Sequence, residues 1–518
     1  MGRYLRVALL AAVLALYASA LDHTPPHMHH DEVVIALQAH SIATTARDSD
    51  GRVLPLYFRM PLLGDRVWYQ PVIIYVMAPF LAVLPAGTAT YRFPTAAIAT
   101  LNVALMFLVA RRLFGSNRWA MTAAALLAAT PTHFMLGRVA FDFIYPLPFI
   151  LGWLWALLLY RDRQRLRYLF CAAMLLGLGF YSYISSIAMM PLYFALTLYV
   201  LWPTLDRRTL AVAAAGFAWP LLPLIPWLLS EPTFIDGLLY RYSIIGTDTA
   251  PFRFSSIADR VTQYWSFFNP AFLFLIGGFT HLTASTRVVG VFLAPLLLLI
   301  PLGLIQMVAA VRTRLSVAIA LGFLAAPLTA VLAVQDWYAS SRQTSILVFG
   351  VLIAVYGMQR MMQWRGAGRV VAVAVLVCLP LHFAFFLHHY FGAYHGYAAA
   401  QFEWNHEDAM AAIIERNPRD NPRDVYVSAT ARHPGYVDSF WHLALTIHNR
   451  KDLLTRTHYF DSSKSDVVST IPPGAFVFAS TEDKSLLEAA RSGQFTEVMR
   501  APEPADEPVF YVLQRNPV

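Results

Sequence analysis

Apolar runs long enough to cross a bilayer recur from the start of the chain to residue 389 and then stop. They fall near 3–21, 93–110, 119–135, 143–160, 168–184, 186–202, 209–229, 288–311, 315–334, 343–359 and 370–389. The runs are continuous, without the polar–apolar alternation that a membrane β-barrel needs. A shorter run, 71–86, is bounded by Pro71 and Pro85 and broken by Pro79. The pattern predicts a polytopic α-helical membrane body over 1–390, with long polar connections at 22–92 and 230–287. Beyond it, 391–518 predicts a small α/β domain. Its strands are Val425-Tyr426-Val427, Ala475-Phe476-Val477-Phe478 and Val509-Phe510-Tyr511-Val512-Leu513, and Phe440–His448 and Ser485–Arg491 read as helices.

Charge adds an orientation. Of the 518 residues 58% are hydrophobic and 14% charged, against about 25% charged in an ordinary soluble protein. The net charge of +8 divides into +13 over 1–390 and −5 over 391–518, with Lys451, Lys464 and Lys484 all in the tail. The basic excess is arginine, clustered between runs at Arg3/Arg6, Arg111/Arg112/Arg118, Arg161/Arg163/Arg165/Arg167, Arg207/Arg208, Arg312/Arg314 and Arg360/Arg365/Arg369. Such clusters mark cytoplasmic loops, not a nucleic-acid surface. All six share one side only if 71–86 does not cross but lies in the outer interface, which leaves eleven spanning helices. The first run resembles a signal peptide, with Ala18-Ser19-Ala20 as a small-x-small site, but the topology needs it retained. Cys171 and Cys378 lie inside apolar runs and imply no disulfide framework.

The opposite, outer face then gathers the residues with chemistry to offer. Asp31 and Glu32 follow the first helix in Pro25-Pro26-His27-Met28-His29-His30-Asp31-Glu32. A carboxylate near an apolar boundary suits a general base. The plain alternative is a hydrated helix N-terminus, since 31–46 reads as helical. The three histidines and Asp31 have metal-ligand chemistry, but their spacing matches no strong metal motif. Arg138 and Asp142 stand four apart in the second outer turn, on one face if that turn is helical, as a second site carboxylate or as a surface ion pair. Asp336-Trp337-Tyr338 and Arg342 form another outer turn, suited to a lipid phosphate or to interfacial anchoring. The 230–287 loop carries Tyr240-Arg241-Tyr242, Arg253, Arg260, His281 and Arg287 beside the aromatic run 267–274, which suits a basic lid or a membrane-surface hairpin.

A short first helix, a long outer loop opening on Asp31-Glu32, a proline-bounded interfacial helix, Arg111-Arg112-Leu113-Phe114-Gly115 and an acid in the second outer turn together resemble the membrane-embedded GT-C glycosyltransferases. The nearest branch is the protein O-mannosyltransferase and aminoarabinose transferase group, and the likeness covers about 1–390. The resemblance implies an inverting transfer of sugar from a polyprenyl phosphate to a glycan, lipid or protein acceptor on the extracytoplasmic face. It implies Asp31 and Asp142 as catalytic acids. Glu32, Arg138, Arg59, Tyr338, Arg342 and His281 are then substrate-binding candidates. The family's His/Pro-Arg-Tyr form near Arg342 is absent, and Arg59 or Arg66 replaces the first-loop lysine. No cofactor and no required metal are expected. The expected setting is a bacterial inner membrane, with membrane lipid as a further partner and the tail extracytoplasmic. Two other classes remain open at this point: a secondary transporter, which nearly charge-free spans disfavour, and a non-enzymatic envelope assembly protein, in which Asp31 and Asp142 would be dispensable.

Overall fold

The structure is a computed structural model that describes residues 3–59, 67–242, 254–278, 282–332, 338–430, 434–464, 466–504 and 507–517. Among these, six helices are long and apolar enough to cross a membrane: Thr88–Phe114, Asp142–Arg163, Ser186–Thr204, Arg207–Ser230, Arg314–Leu332 and Ala367–Phe391. Shorter apolar helices are Arg6–Ala18, Pro71–Leu81, Leu166–Gly179, Leu296–Val311 and Ser345–Met361. The chain is an integral membrane protein.

Prolines set many of the boundaries. The apolar run 119–135 divides into Asn117–Ala128 and Pro131–Leu136, because Pro131 starts a new helix where the first ends. Residues 209–229 pass through a 3-10 turn at Trp219–Leu221, over Pro220. The run expected from 288 becomes helical only at Leu296, after Pro295. Gly115, at φ 64°, closes Thr88–Phe114 in the left-handed region that glycine adopts freely. Helices Leu296–Gln306 and Ser345–Met361 cross with backbones nearly touching: a Cβ on Gly303 would stand 1.9 Å from the Ile353 carbonyl oxygen, and one on Gly357 1.9 Å from that of Leu299. Small residues at such crossings replace the hydrophobic drive that lipid removes.

Helix Pro71–Leu81 has 11 residues, a length of about 16 Å against roughly 30 Å of hydrocarbon. It lies against helices His30–Thr45 and Thr88–Phe114.

The C-terminal α/β unit has a five-stranded sheet ordered β4-β3-β5-β7-β6. Here β3 is Val425–Ser428, β4 Thr457–Phe460, β5 Phe476–Ser480, β6 Phe495–Arg500 and β7 Phe510–Arg515. The short pair β1 (Phe58–Arg59) and β2 (Trp68–Tyr69) belongs to the first polar connection. Strands β4, β3 and β5 are parallel, and β7 and β6 are antiparallel. Helix His406–Arg416 packs on β5 and β7, beside helix Pro434–Ile447, while Lys484–Arg491 packs on β6. Helix Pro434–Ile447 in turn meets helix His30–Thr45, where the His30 ring stacks on Tyr436 at 3.8 Å. His27 Nε2 also meets Glu503 Oε2 at 3.0 Å, fastening the first connection to the α/β unit.

Candidate active site

The site begins at a helix N-terminus. His29 precedes His30–Thr45 as its N-cap, and its ring Nδ1 accepts from the Asp31 amide at 3.1 Å. Glu32, at the third helical position, accepts from the His29 amide at 3.0 Å. This is the reciprocal arrangement of a capping box, with histidine in place of the usual serine or threonine.

Glu32 does more than cap. Its Oε1 accepts from Arg92 Nε at 2.9 Å and from the Ala140 amide at 2.7 Å, and its Oε2 accepts from Arg92 Nη2 at 2.9 Å. Both side chains are closed to solvent. Arg92 donates further to the carbonyls of Leu21, Pro25 and His27. One carboxylate thus joins the exit of the first helix, the start of the second and the turn at Ala140. The bond to Ala140 brings the turn carrying Asp142 up to Asp31.

Asp31 faces the other way. Its side chain is 39% exposed. Tyr69, presented by β2, donates to Oδ1 at 2.9 Å. Among the described residues Oδ2 receives no hydrogen bond, and His29 Nδ1 stands 4.0 Å away. Asp142 opens the 3-10 turn Asp142–Ile144. Phe141 meets the His29 ring edge-on at 5.2 Å. The same turn packs against Ser340–Gln343, and Thr344 Oγ1 donates to the Phe143 carbonyl at 2.8 Å. Three segments distant in sequence therefore meet here.

Arg342, within Ser340–Gln343, lines a cleft of about 290 Å³ with Ile184, Ala188, Leu238, Leu239 and Thr329. The cleft is chiefly apolar, with a guanidinium in its wall. Tyr338 lies close by in sequence, its ring 5.2 Å from Phe272 and its φ at 58°. Arg59 lies 3.5 Å from Glu231 and 5.3 Å from the Trp68 ring centroid, with Arg52 at 5.1 Å from the same ring. His281, Arg66, Arg253, Asp336 and Trp337 lie outside the described residues.

Two of the candidates, Arg138 and Glu32, are closed to solvent. Arg138 does not share a helical face with Asp142, because the chain between them is not helical. It turns inward, closed to solvent, and donates to the carbonyls of Tyr17 at 2.8 Å and Thr24 at 2.9 Å, with Leu16 and Ala20 at 3.3 Å. It satisfies the carbonyls that the first helix leaves open at its C-terminus. Glu32 likewise has no surface open to a substrate. The three histidines diverge: His27 to Glu503, His29 to the helix cap and His30 to Tyr436.

Sequence reasoning missed Arg92 and Tyr69. Arg92 had a signal, being a charge at the edge of an apolar run, where an ionisable group needs a partner. Tyr69 had none, since its role depends on the β1–β2 pairing.

Over residues 69–228 the chain matches the family model described as Dolichyl-phosphate-mannose-protein mannosyltransferase. No curated protein matches it by sequence. Among solved structures it resembles ArnT from Cupriavidus metallidurans bound to undecaprenyl phosphate, at 13% identity and a TM-score of 0.60, over 99% of this chain and 98% of that one. The apo state of the same ArnT gives 14% identity and 0.56, over 98% and 97%. The Archaeoglobus fulgidus oligosaccharyltransferase tethered with an acceptor peptide gives 13% and 0.50, over 92% and 69%. At these identities the structural likeness shows a shared fold, and the family match covers less than half of the chain. The chain is thus similar over 69–228 to a family of membrane mannosyltransferases, and it shares the fold of the ArnT structure.

Proposed function

We propose that this protein is an inverting glycosyltransferase that moves a sugar from a polyprenyl-phosphate donor to a glycan, lipid or protein acceptor on the extracytoplasmic face of a bacterial inner membrane. The observation that carries the reading is Asp31. It is half-open, Tyr69 holds one of its oxygens, Oδ2 is left available, and the Glu32 bond to the Ala140 amide fastens the turn that leads to Asp142 to the same helix start.

In the proposed step an acceptor hydroxyl or amine attacks the anomeric carbon and its proton passes to Asp31 Oδ2. The bond from that carbon to the phosphate oxygen breaks, and the electron pair leaves on the lipid phosphate. Attack opposite the leaving group inverts the anomeric centre. Asp142 orients the acceptor toward Asp31. The apolar cleft beside Arg342 supports a lipid-linked donor, with the guanidinium meeting phosphate charge as it develops. The ArnT structure bound to undecaprenyl phosphate supports the same donor class. Eleven crossings, with 391–518 as an extracytoplasmic domain, complete the reading.

The test is sugar transfer by Asp31→Asn in proteoliposomes supplied with polyprenyl-phosphate sugar. Loss of about a hundredfold or more is expected for removal of a general base, with donor lipid still bound. Activity equal to the unaltered protein overturns the assignment.

A further inference from the structure

On the face opposite the carboxylates, several helix ends border a half-open chamber of about 580 Å³. Helix Thr88–Phe114 sets the separation. Arg92, near its start, holds Glu32, and Arg112, in its last turn, lines the chamber, about 30 Å further along the axis.

The chamber is two-toned. Leu113, Leu158, Val311 and Tyr356 line it with apolar surface, while Arg112, Arg161, Arg314 and Asp162 supply its charge. Arg112 pairs with Asp162. Arg314 donates to the Tyr199 carbonyl at 3.2 Å and lies 5.4 Å from that ring. Arg161 is exposed and forms no ion pair among the described residues. Three guanidinium groups against one carboxylate leave the rim positive.

Arginines in the last turn of Thr88–Phe114 and of Pro146–Arg163 suit the negative ends of those helix dipoles. That explains the charges one by one but not why three of them border a single recess. A recess lined by both apolar side chains and guanidinium groups complements a molecule with a hydrocarbon end and an anionic end. Basic pockets between membrane helices hold anionic headgroups in this way.

We propose that this chamber binds one anionic phospholipid, its phosphate held by Arg112, Arg161 and Arg314 and the upper part of its chains resting on Leu113, Leu158 and Val311. The site is separate from the transfer chemistry and involves none of its residues.

Native mass spectrometry of the purified full chain tests this, with phosphatidylglycerol, phosphatidylcholine and inorganic phosphate as probes. One phosphatidylglycerol is expected to stay bound under activation that strips phosphatidylcholine, and inorganic phosphate is not expected to displace it. The double variant Arg161→Ala/Arg314→Ala should weaken that lipid about thirtyfold, from roughly fivefold per guanidinium. Arg365→Ala/Arg369→Ala, with the same loss of charge outside the chamber, should leave it unchanged. If the first double variant does not fold, Arg161→Glu replaces it with the same expected direction. Equal weakening in both double variants would reduce the effect to diffuse surface charge. Equal retention of phosphatidylcholine would make the chamber an ordinary annular site, and displacement by inorganic phosphate would make it a soluble-anion site. Each of these overturns the proposal.

Discussion

Asp31 and Glu32 are chain neighbours on a helix whose successive residues point about 100° apart, and that rotation gives them different work. Glu32 accepts from His29, Ala140 and two nitrogens of Arg92 and is closed to solvent, whereas Asp31 keeps an oxygen open. A buried ion pair is weak evidence of net stability, since two well-packed apolar side chains often do as well. Removing a single partner, however, strands a buried charge and costs about 3–5 kcal/mol. Glu32→Ala should therefore lower the unfolding free energy by about that amount, and Arg92→Met similarly. The two changes together should cost much less than their sum. Thermal unfolding of the four proteins in one detergent closes this cycle. Strict additivity would show that the two side chains do not act as the fastening described.

At the scale of elements, the membrane helices were legible in the sequence because an apolar run is a local signal. Their breaks at Pro131 and Trp219–Leu221 depend on how a proline is accommodated and were not read. The α/β unit was read through its buried strands β3, β5 and β7. Strands β4, largely open to solvent, and β6, at the sheet edge, carry too much polarity for the pattern to stand out. Helix His406–Arg416 was also missed, although Asn405 caps it by accepting from the Asp408 amide. That helix carries Glu407, whose Oε2 accepts from Thr88 Oγ1 at 3.0 Å, joining the α/β unit to the start of a membrane helix. Burial pushes the Glu407 carboxyl above the ordinary glutamate range, while Arg92 and the Thr88 hydroxyl act in the opposite sense. A carboxyl raised on folding stabilises the fold fully below its unfolded pKa of about 4.3. That contribution is lost as pH rises through the folded value. Glu407→Gln, which keeps an acceptor for Thr88 without the charge, should therefore be more stable than the parent near pH 7 and indistinguishable near pH 4. Unfolding midpoints across that range check the sign. A parent that is the more stable of the two at pH 7 would mean that Arg92 outweighs burial.

At the scale of the molecule, charge is sorted to two ends of the helix body. Arg112, Arg161 and Arg314, from three of the arginine clusters read in the sequence, meet around one chamber, as their spacing between apolar runs requires. The carboxylates and the α/β unit lie at the other end, where His30 stacks on Tyr436 and His27 meets Glu503. Arginine excess favours the cytoplasmic side during insertion, and the proposed function requires the carboxylate end to lie outside. Two exposed positions report the two ends: Ser463, in the turn after β4, and Asn117, at the start of Asn117–Ala128 just beyond Gly115. With Cys171 and Cys378 replaced by alanine, Ser463→Cys should react with a membrane-impermeant maleimide on intact spheroplasts. Asn117→Cys should react only after permeabilisation. The paired readout separates orientation from expression or folding, because each variant serves as the other's control. The reverse labelling pattern would put Asp31 in the cytoplasm, and an extracytoplasmic acceptor would have to be abandoned even if Asp31→Asn proved inactive.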